Sequence, residues 1–153
     1  MKDATIPQAI KPLNVFPMTV NYDRSVEDGV KAERYSWVSE SITTKHFPSE
    51  RKGTADVEFI LVKFDRHMQS GDVVSELDGQ GLRPAELSEL LAFGEKYPDV
   101  RNDFPVVALG SIWRSSEGWC VPCLFGSSVE RRLDLNRWDY GWCSSDRFAA
   151  VRR

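Results

Sequence analysis

Hydrophobic positions change their period along this chain, and the changes mark out elements. Phe59-Ile60-Leu61-Val62-Lys63-Phe64 is an apolar run too short for a helix and rich in branched and aromatic residues, so it predicts a buried strand. Ser70 is placed to cap a short helix with Val73, Val74 and Leu77 facing inward, and Gly79 to end it in a left-handed turn. Pro84 suits the first turn of a second helix, in which Leu87, Leu90 and Leu91 give one apolar face and Gly94 and Pro98 close the element. Pro105 opens an extended run from Val106 to Trp113, and Ser115-Ser116-Glu117-Gly118 is a hairpin turn into Trp119 to Phe125. Gly126-Ser127-Ser128 is another turn, Arg131 to Leu135 alternates polar and apolar, and Arg147 to Val151 makes a last short strand. The predicted order is strand, helix, helix, then four strands.

The N-terminal part reads differently. Residues 1–24 carry Pro7, Pro12 and Pro17 among isolated apolar residues, which disfavours both helix and central strand and predicts an extended arm wrapping the domain or a neighbour. Ser25 with Asp28 marks a helix start, Tyr35 to Thr44 is a β-rich stretch containing Trp37, Val38, Ile42 and Thr43, and Pro48 to Gly53 is a polar break. The length of 153 residues accommodates one domain, so the expectation is an α+β domain over 25–153 with two short helices and a mostly antiparallel sheet, preceded by the arm 1–24.

Composition narrows the function. The longest uncharged stretch of the C-terminal half, Phe104 to Trp113, is ten residues, half of the ~20 needed to span a bilayer, so no membrane insertion is expected. Met1-Lys2-Asp3-Ala4 lacks the basic-then-apolar pattern of a secretory signal, which leaves a cytoplasmic location as the expectation. A net charge of −3 with scattered basic residues argues against a nucleic-acid partner.

Candidate chemistry concentrates at the C-terminal end, where Cys120, Cys123 and Cys143 lie near four of the five tryptophans. Trp119-Cys120-Val121-Pro122-Cys123 matches a thioredoxin-like redox motif in letters, but its context is strand-like and too little chain follows for that fold, so these cysteines read as small hydrophobes on a strand. A zinc site would draw on Cys120, Cys123, Cys143 and either His46 or His67, with one correct Cys-x-x-Cys spacing and distant histidines. No nucleophile elbow, phosphate-cradling glycine loop or calcium loop occurs, so no enzyme, cofactor or resident metal is expected. What remains is Asn136-Arg137-Trp138-Asp139-Tyr140-Gly141-Trp142-Cys143-Ser144-Ser145-Asp146, polar with embedded aromatics, which is the composition of a binding loop. Trp138 and Trp142 are its expected buried supports. Asn136, Arg137, Asp139, Tyr140, Gly141, Cys143, Ser144, Ser145 and Asp146 are its expected contact surface.

Gly81-Leu82-Arg83-Pro84-Ala85-Glu86-Leu87-Ser88-Glu89-Leu90-Leu91 resembles a segment of C-type-lectin-like domains of the formylglycine-generating-enzyme type, and Arg147-Phe148-Ala149-Ala150-Val151-Arg152 looks like their closing strand. The resemblance covers about residues 57–153, and the whole chain is similar to a group of bacterial proteins from candidate-phylum genomes. The Glu-Pro-Asn and Trp-Asn-Asp motifs of the calcium-dependent sugar-binding members are absent, and the three cysteines do not match the catalytic arrangement of the enzymes. The resemblance therefore implies the branch found in variable proteins of diversity-generating retroelements, where the scaffold displays a hypervariable C-terminal patch to a protein or surface ligand. In that branch adenine-directed mutagenesis of AAY codons cannot produce Glu, Lys, Gln, Met or Trp. Asp139, Tyr140, Gly141, Cys143, Ser144, Ser145 and Asp146 are all permitted types, a pattern this composition satisfies often enough that the neighbouring DNA decides it. The alternatives are a non-catalytic structural or adaptor protein whose C-terminal aromatics are simply core, and a thiol or zinc protein using Cys120 and Cys123.

Overall fold

A computed structural model describes residues 10–127 and 129–153. Its central strand pair explains the unbroken apolar run. Strand β3 (Thr54–Val62) turns Phe59 and Leu61 into one core and Ile60 and Val62 into another, because alternate side chains leave opposite faces of a strand and both faces are covered. Strand β9 (Arg147–Arg152), antiparallel to β3, divides Ala149 and Val151 from Phe148 and Ala150 in the same way.

Around this pair the described residues form nine strands and three α-helices in the order β1 (Ile10–Asn21), α1 (Val26–Lys31), β2 (Trp37–Val38), β3, α2 (Ser70–Gly79), β4 (Leu82–Pro84), α3 (Leu87–Lys96), β5 (Val106–Val107), β6 (Trp113–Ser115), β7 (Gly118–Gly126), β8 (Arg131–Arg137) and β9. The sheet runs β1-β3-β9-β5-β7-β8-β2, with β4 attached to β9 and β6 to β7. Among the described residues only the β5/β9 and β2/β8 pairs are parallel. This is a mixed α/β fold with a large, mostly antiparallel sheet. Helix α3 lays Leu87, Leu90, Leu91 and Phe93 on one face, where the Phe93 ring stacks on Phe59 with centroids 4.4 Å apart. Helix α2 covers the other face with Val73 and Leu77. No helix among the described residues is long and apolar enough to cross a membrane.

Several expectations need correction. Residues 1–9 of the predicted arm lie outside the described residues, but from Ile10 the chain is strand β1, paired antiparallel to β3 with an irregularity between Ile10 and Val15. Pro17 is compatible with this because β1 is the edge of the sheet, where its missing N–H breaks no ladder, and its carbonyl accepts from Tyr97 Oη at 2.7 Å. The stretch from Tyr35 to Thr44 yields only the two-residue strand β2.

Pro84 ends strand β4 instead of opening α3, which begins at Leu87 behind a reciprocal capping box of Glu86 and Glu89. The left-handed residue after α2 is Gly81, at φ 76°, and Gly79 stays helical. Ser70 is the first residue of α2 and not its cap, and Val74 is only partly buried. The run from Val106 to Trp113 breaks because Gly110 leaves the sheet to donate its N–H to Ala85 O at 2.8 Å, so close that an added Cβ would lie 2.6 Å from the carbonyl oxygens of Pro84 and Ala85. The capped start at Ser25, the β6/β7 hairpin and the strands β3, β7, β8 and β9 stand where the pattern put them.

Candidate functional site

The loop joining β8 to β9 is built around one indole. Trp142 is fully buried, packed edge-on against Phe148 at 5.8 Å, and its backbone makes a two-way bridge with Met68, with N–H to O distances of 2.9 and 3.1 Å. Its indole N–H donates to Ser70 Oγ at 2.8 Å, and that hydroxyl donates to the Trp138 carbonyl at 2.6 Å. A buried indole requires such an acceptor, because an unpaired N–H there would forfeit ~1–3 kcal/mol. The start of α2 thereby fixes two points of the loop.

Around these points the predicted contact residues separate by exposure. Arg137, Asp139, Tyr140, Gly141, Ser144 and Ser145 are exposed. Tyr140 rests edge-on against Trp142 with centroids 5.0 Å apart and keeps 47% of its surface open. Arg137 and Asp139 form an exposed ion pair at 3.1 Å, an arrangement of ~0–1 kcal/mol that a ligand can displace. Asn136 and Cys143 are half-buried.

Asp146 departs from the expectation. It is 7% exposed, and its carboxylate accepts from the Cys143 backbone N–H at 3.0 Å while its own N–H donates to Cys143 O at 3.1 Å. It staples the turn that returns the chain to β9 and presents little to a partner. Trp138 also departs in degree. It is half-buried and held by its N–H to Trp119 O at 2.8 Å, so it lies at the border of the surface and not beneath it. Arg147 closes the loop by donating to Ser145 O at 2.8 Å and lying over the Phe104 ring at 4.2 Å, where burial pulls its pKa down.

The supporting residues Met68 and Ser70 escaped sequence reasoning, since nothing near position 70 announces a contact 68 or 72 residues away. Met68 also lines a depression of about 490 Å³ together with Arg66, His67, Asp72, Ser75 and Glu76. Exposed Trp119 also escaped sequence reasoning, standing at the start of β7 before the buried run Cys120–Leu124 begins.

The cysteine chemistry does not assemble. Cys120 and Cys123 are three positions apart on strand β7, so their side chains leave opposite faces and the pair cannot act as a dithiol. All three cysteines are free thiols, and burial pushes the Cys123 thiol far above its usual range. Among the described residues no group of three His, Cys, Asp or Glu side chains is placed to hold a metal ion. Comparison of the chain with protein families, curated proteins and solved structures finds no match.

Proposed function

We propose that this protein is a non-catalytic binding module that displays the 136–146 loop to a protein or surface ligand from a C-type-lectin-like scaffold, as a variable protein of a diversity-generating retroelement does. The observation that carries the reading is the division of labour within one short loop. Trp142 supplies fixation at 0% exposure while its neighbour Tyr140 remains 47% exposed. A surface built this way tolerates replacement of its contact residues, because an exposed polar position contributes little to folding while burying an indole contributes on the order of 2–3 kcal/mol. The scaffold assignment draws on the strand, helix, helix, hairpin and closing-strand order together with the segments Gly81–Leu91 and Arg147–Arg152.

Saturation mutagenesis of residues 136–146, scored by folded yield, tests the proposal. Asp139, Tyr140, Gly141, Ser144 and Ser145 are expected to accept most substitutions while Trp142 and Asp146 accept few. Equal intolerance at all positions makes the loop core or capping structure and removes the proposal. The retroelement origin has its own test in the neighbouring DNA, which should hold a near-identical template repeat and a reverse transcriptase.

A further inference from the structure

A second surface lies on the outer strands, beside the loop. Leu133 and Leu135 of β8 point into the core on the α3 side, so Arg132, Asp134, Asn136 and Trp138 stand together on the opposite face. The register sets Arg132 beside Trp37 of β2 and Arg114 of β6 beside Trp119 of β7. Both pairs are in contact, with the Arg132 guanidinium 4.7 Å from the Trp37 centroid and the Arg114 guanidinium 5.7 Å from that of Trp119. Trp37 and Trp119 remain 44% and 45% exposed. The strip from Arg132 to Trp138 is about 20 Å long at the strand rise of ~3.4 Å per residue. It has a tryptophan–arginine pair at each end, with Asp134 and Asn136 between them.

The two arginines are unusual in this chain. Arg24, Arg51, Arg66, Arg83, Arg101, Arg131, Arg137, Arg152 and Arg153 each reach a carboxylate. Arg114 and Arg132, like Arg34, have neither a carboxylate nor a hydrogen-bond acceptor among the described residues, but unlike Arg34 each is seated over an aromatic ring. That seating decides what can bind. A guanidinium over an indole occupies a ring face, which counts against ligands that need stacking platforms, while its N–H donors stay in plane as an open fork for carboxylates. Asp134 between them, with Oδ1 accepting, among the described residues, only from the adjacent Leu135 N–H at 2.7 Å, calls for a positive or donor group at the centre.

We propose that this face binds an extended acidic segment of a partner protein, with carboxylate side chains about six residues apart on the two arginines and a basic or hydroxyl side chain between them opposite Asp134. Tryptophan and arginine are the residue types that dominate such interfaces. The surface rests mainly on residues outside the 136–146 loop, and it stands or falls apart from the display function.

The test uses the full chain against a displayed library of random heptapeptides. Selected peptides are expected to carry Asp or Glu near both ends. A synthetic selected peptide should bind the Arg114→Gln/Arg132→Gln protein about tenfold or more weakly at unchanged Tm, and bind the Asp139→Ala/Tyr140→Ala/Ser144→Ala protein as it binds the wild type. Arg114→Lys/Arg132→Lys keeps the charge but loses the fork and should fall between. Selection without acidic preference, no selection at all, or binding indifferent to both arginine variants overturns the proposal. So does tighter arginine-dependent binding of a labelled oligouridine or oligosaccharide to the same face.

Discussion

The Ser70 hydroxyl stands between two tryptophans of one loop, accepting from the Trp142 indole N–H and donating to the Trp138 carbonyl. Replacing it by Ala would leave a buried donor and a carbonyl without partners at once. Ser70→Ala should therefore cost ~2–3 kcal/mol, well above the value for an exposed serine such as Ser144, as read from urea midpoints.

Contact and stability should also separate within the loop itself. Trp142→Ala removes a fully buried indole and should cost ~3–5 kcal/mol, in line with other large-to-small core changes. Asp139→Ala/Tyr140→Ala/Ser144→Ala, all exposed, should leave Tm nearly unchanged. Asp146→Ala should behave as the loss of a cap, at ~1 kcal/mol.

Alkaline pH should expose the network beneath α3. Tyr22 donates to Glu89 at 2.5 Å, and Glu89, with no exposed surface, is held by both Nη atoms of Arg83. Burial, and then the hydrogen bond to Glu89 and its charge, raise the Tyr22 pKa to about 12. The folded state thus holds the phenolic proton more tightly than the unfolded chain, whose tyrosine titrates near ~10. This contribution is complete below pH ~10 and is lost as pH rises through about 12. Tyr22→Phe should flatten the fall of stability across that window in denaturant titrations. Glu89→Ala, which strands Arg83 without its partner, should cost ~3–5 kcal/mol at neutral pH.

Thiol labelling should resolve the cysteines by burial. Cys143 is half-exposed and should react first with a neutral thiol reagent, whereas Cys123, fully buried with a raised pKa, should react only on unfolding. Mass spectrometry of the labelled peptides reads the order, and early labelling of Cys123 would contradict the packing of β7.

Glycine positions offer a paired comparison. A Cβ at Gly110 would lie 2.6 Å from two backbone oxygens, so Gly110→Ala should cost at least ~2 kcal/mol. Gly71, early in α2, meets nothing within 4 Å, so Gly71→Ala should be neutral or stabilising by up to ~1 kcal/mol. Thermal melts of the two proteins check both signs.

The elements legible in the sequence were those with their own periodicity. The β3 run, the Leu87/Leu90/Leu91 stripe, the Ser25 cap and the Ser115–Gly118 turn each encode local structure, and each occupies its expected place. Pro17 and Pro84 were misleading because a proline's tolerance depends on whether its N–H side faces a neighbour, which is a property of the sheet and not of the segment. Asp146 is of a type that suits a binding loop, and composition alone places it on the contact surface. Its burial follows from the Cys143 turn, a local pairing that composition does not reveal. Ser70 and Trp142 were both visible as residues, but their meeting is set by how α2 lies across the sheet.

The central place of β9 bears on how the molecule assembles. Among the described residues this strand alone joins β3 on one side to β4 and β5, and through β5 to β7, β8 and β2, on the other. Until it docks, the chain holds two half-sheets with the inner edges of β3 and β5 open, each flanked by apolar side chains that the finished molecule buries completely. Closing the gap requires pairing residues far apart in sequence, the kind of step that slows folding and lengthens the life of edges able to recruit a second chain. Agents that bind extended apolar segments would therefore act on this protein before β9 is in place, and changes that weaken β9, such as Ala150→Asp, should lower the yield of folded protein through aggregation.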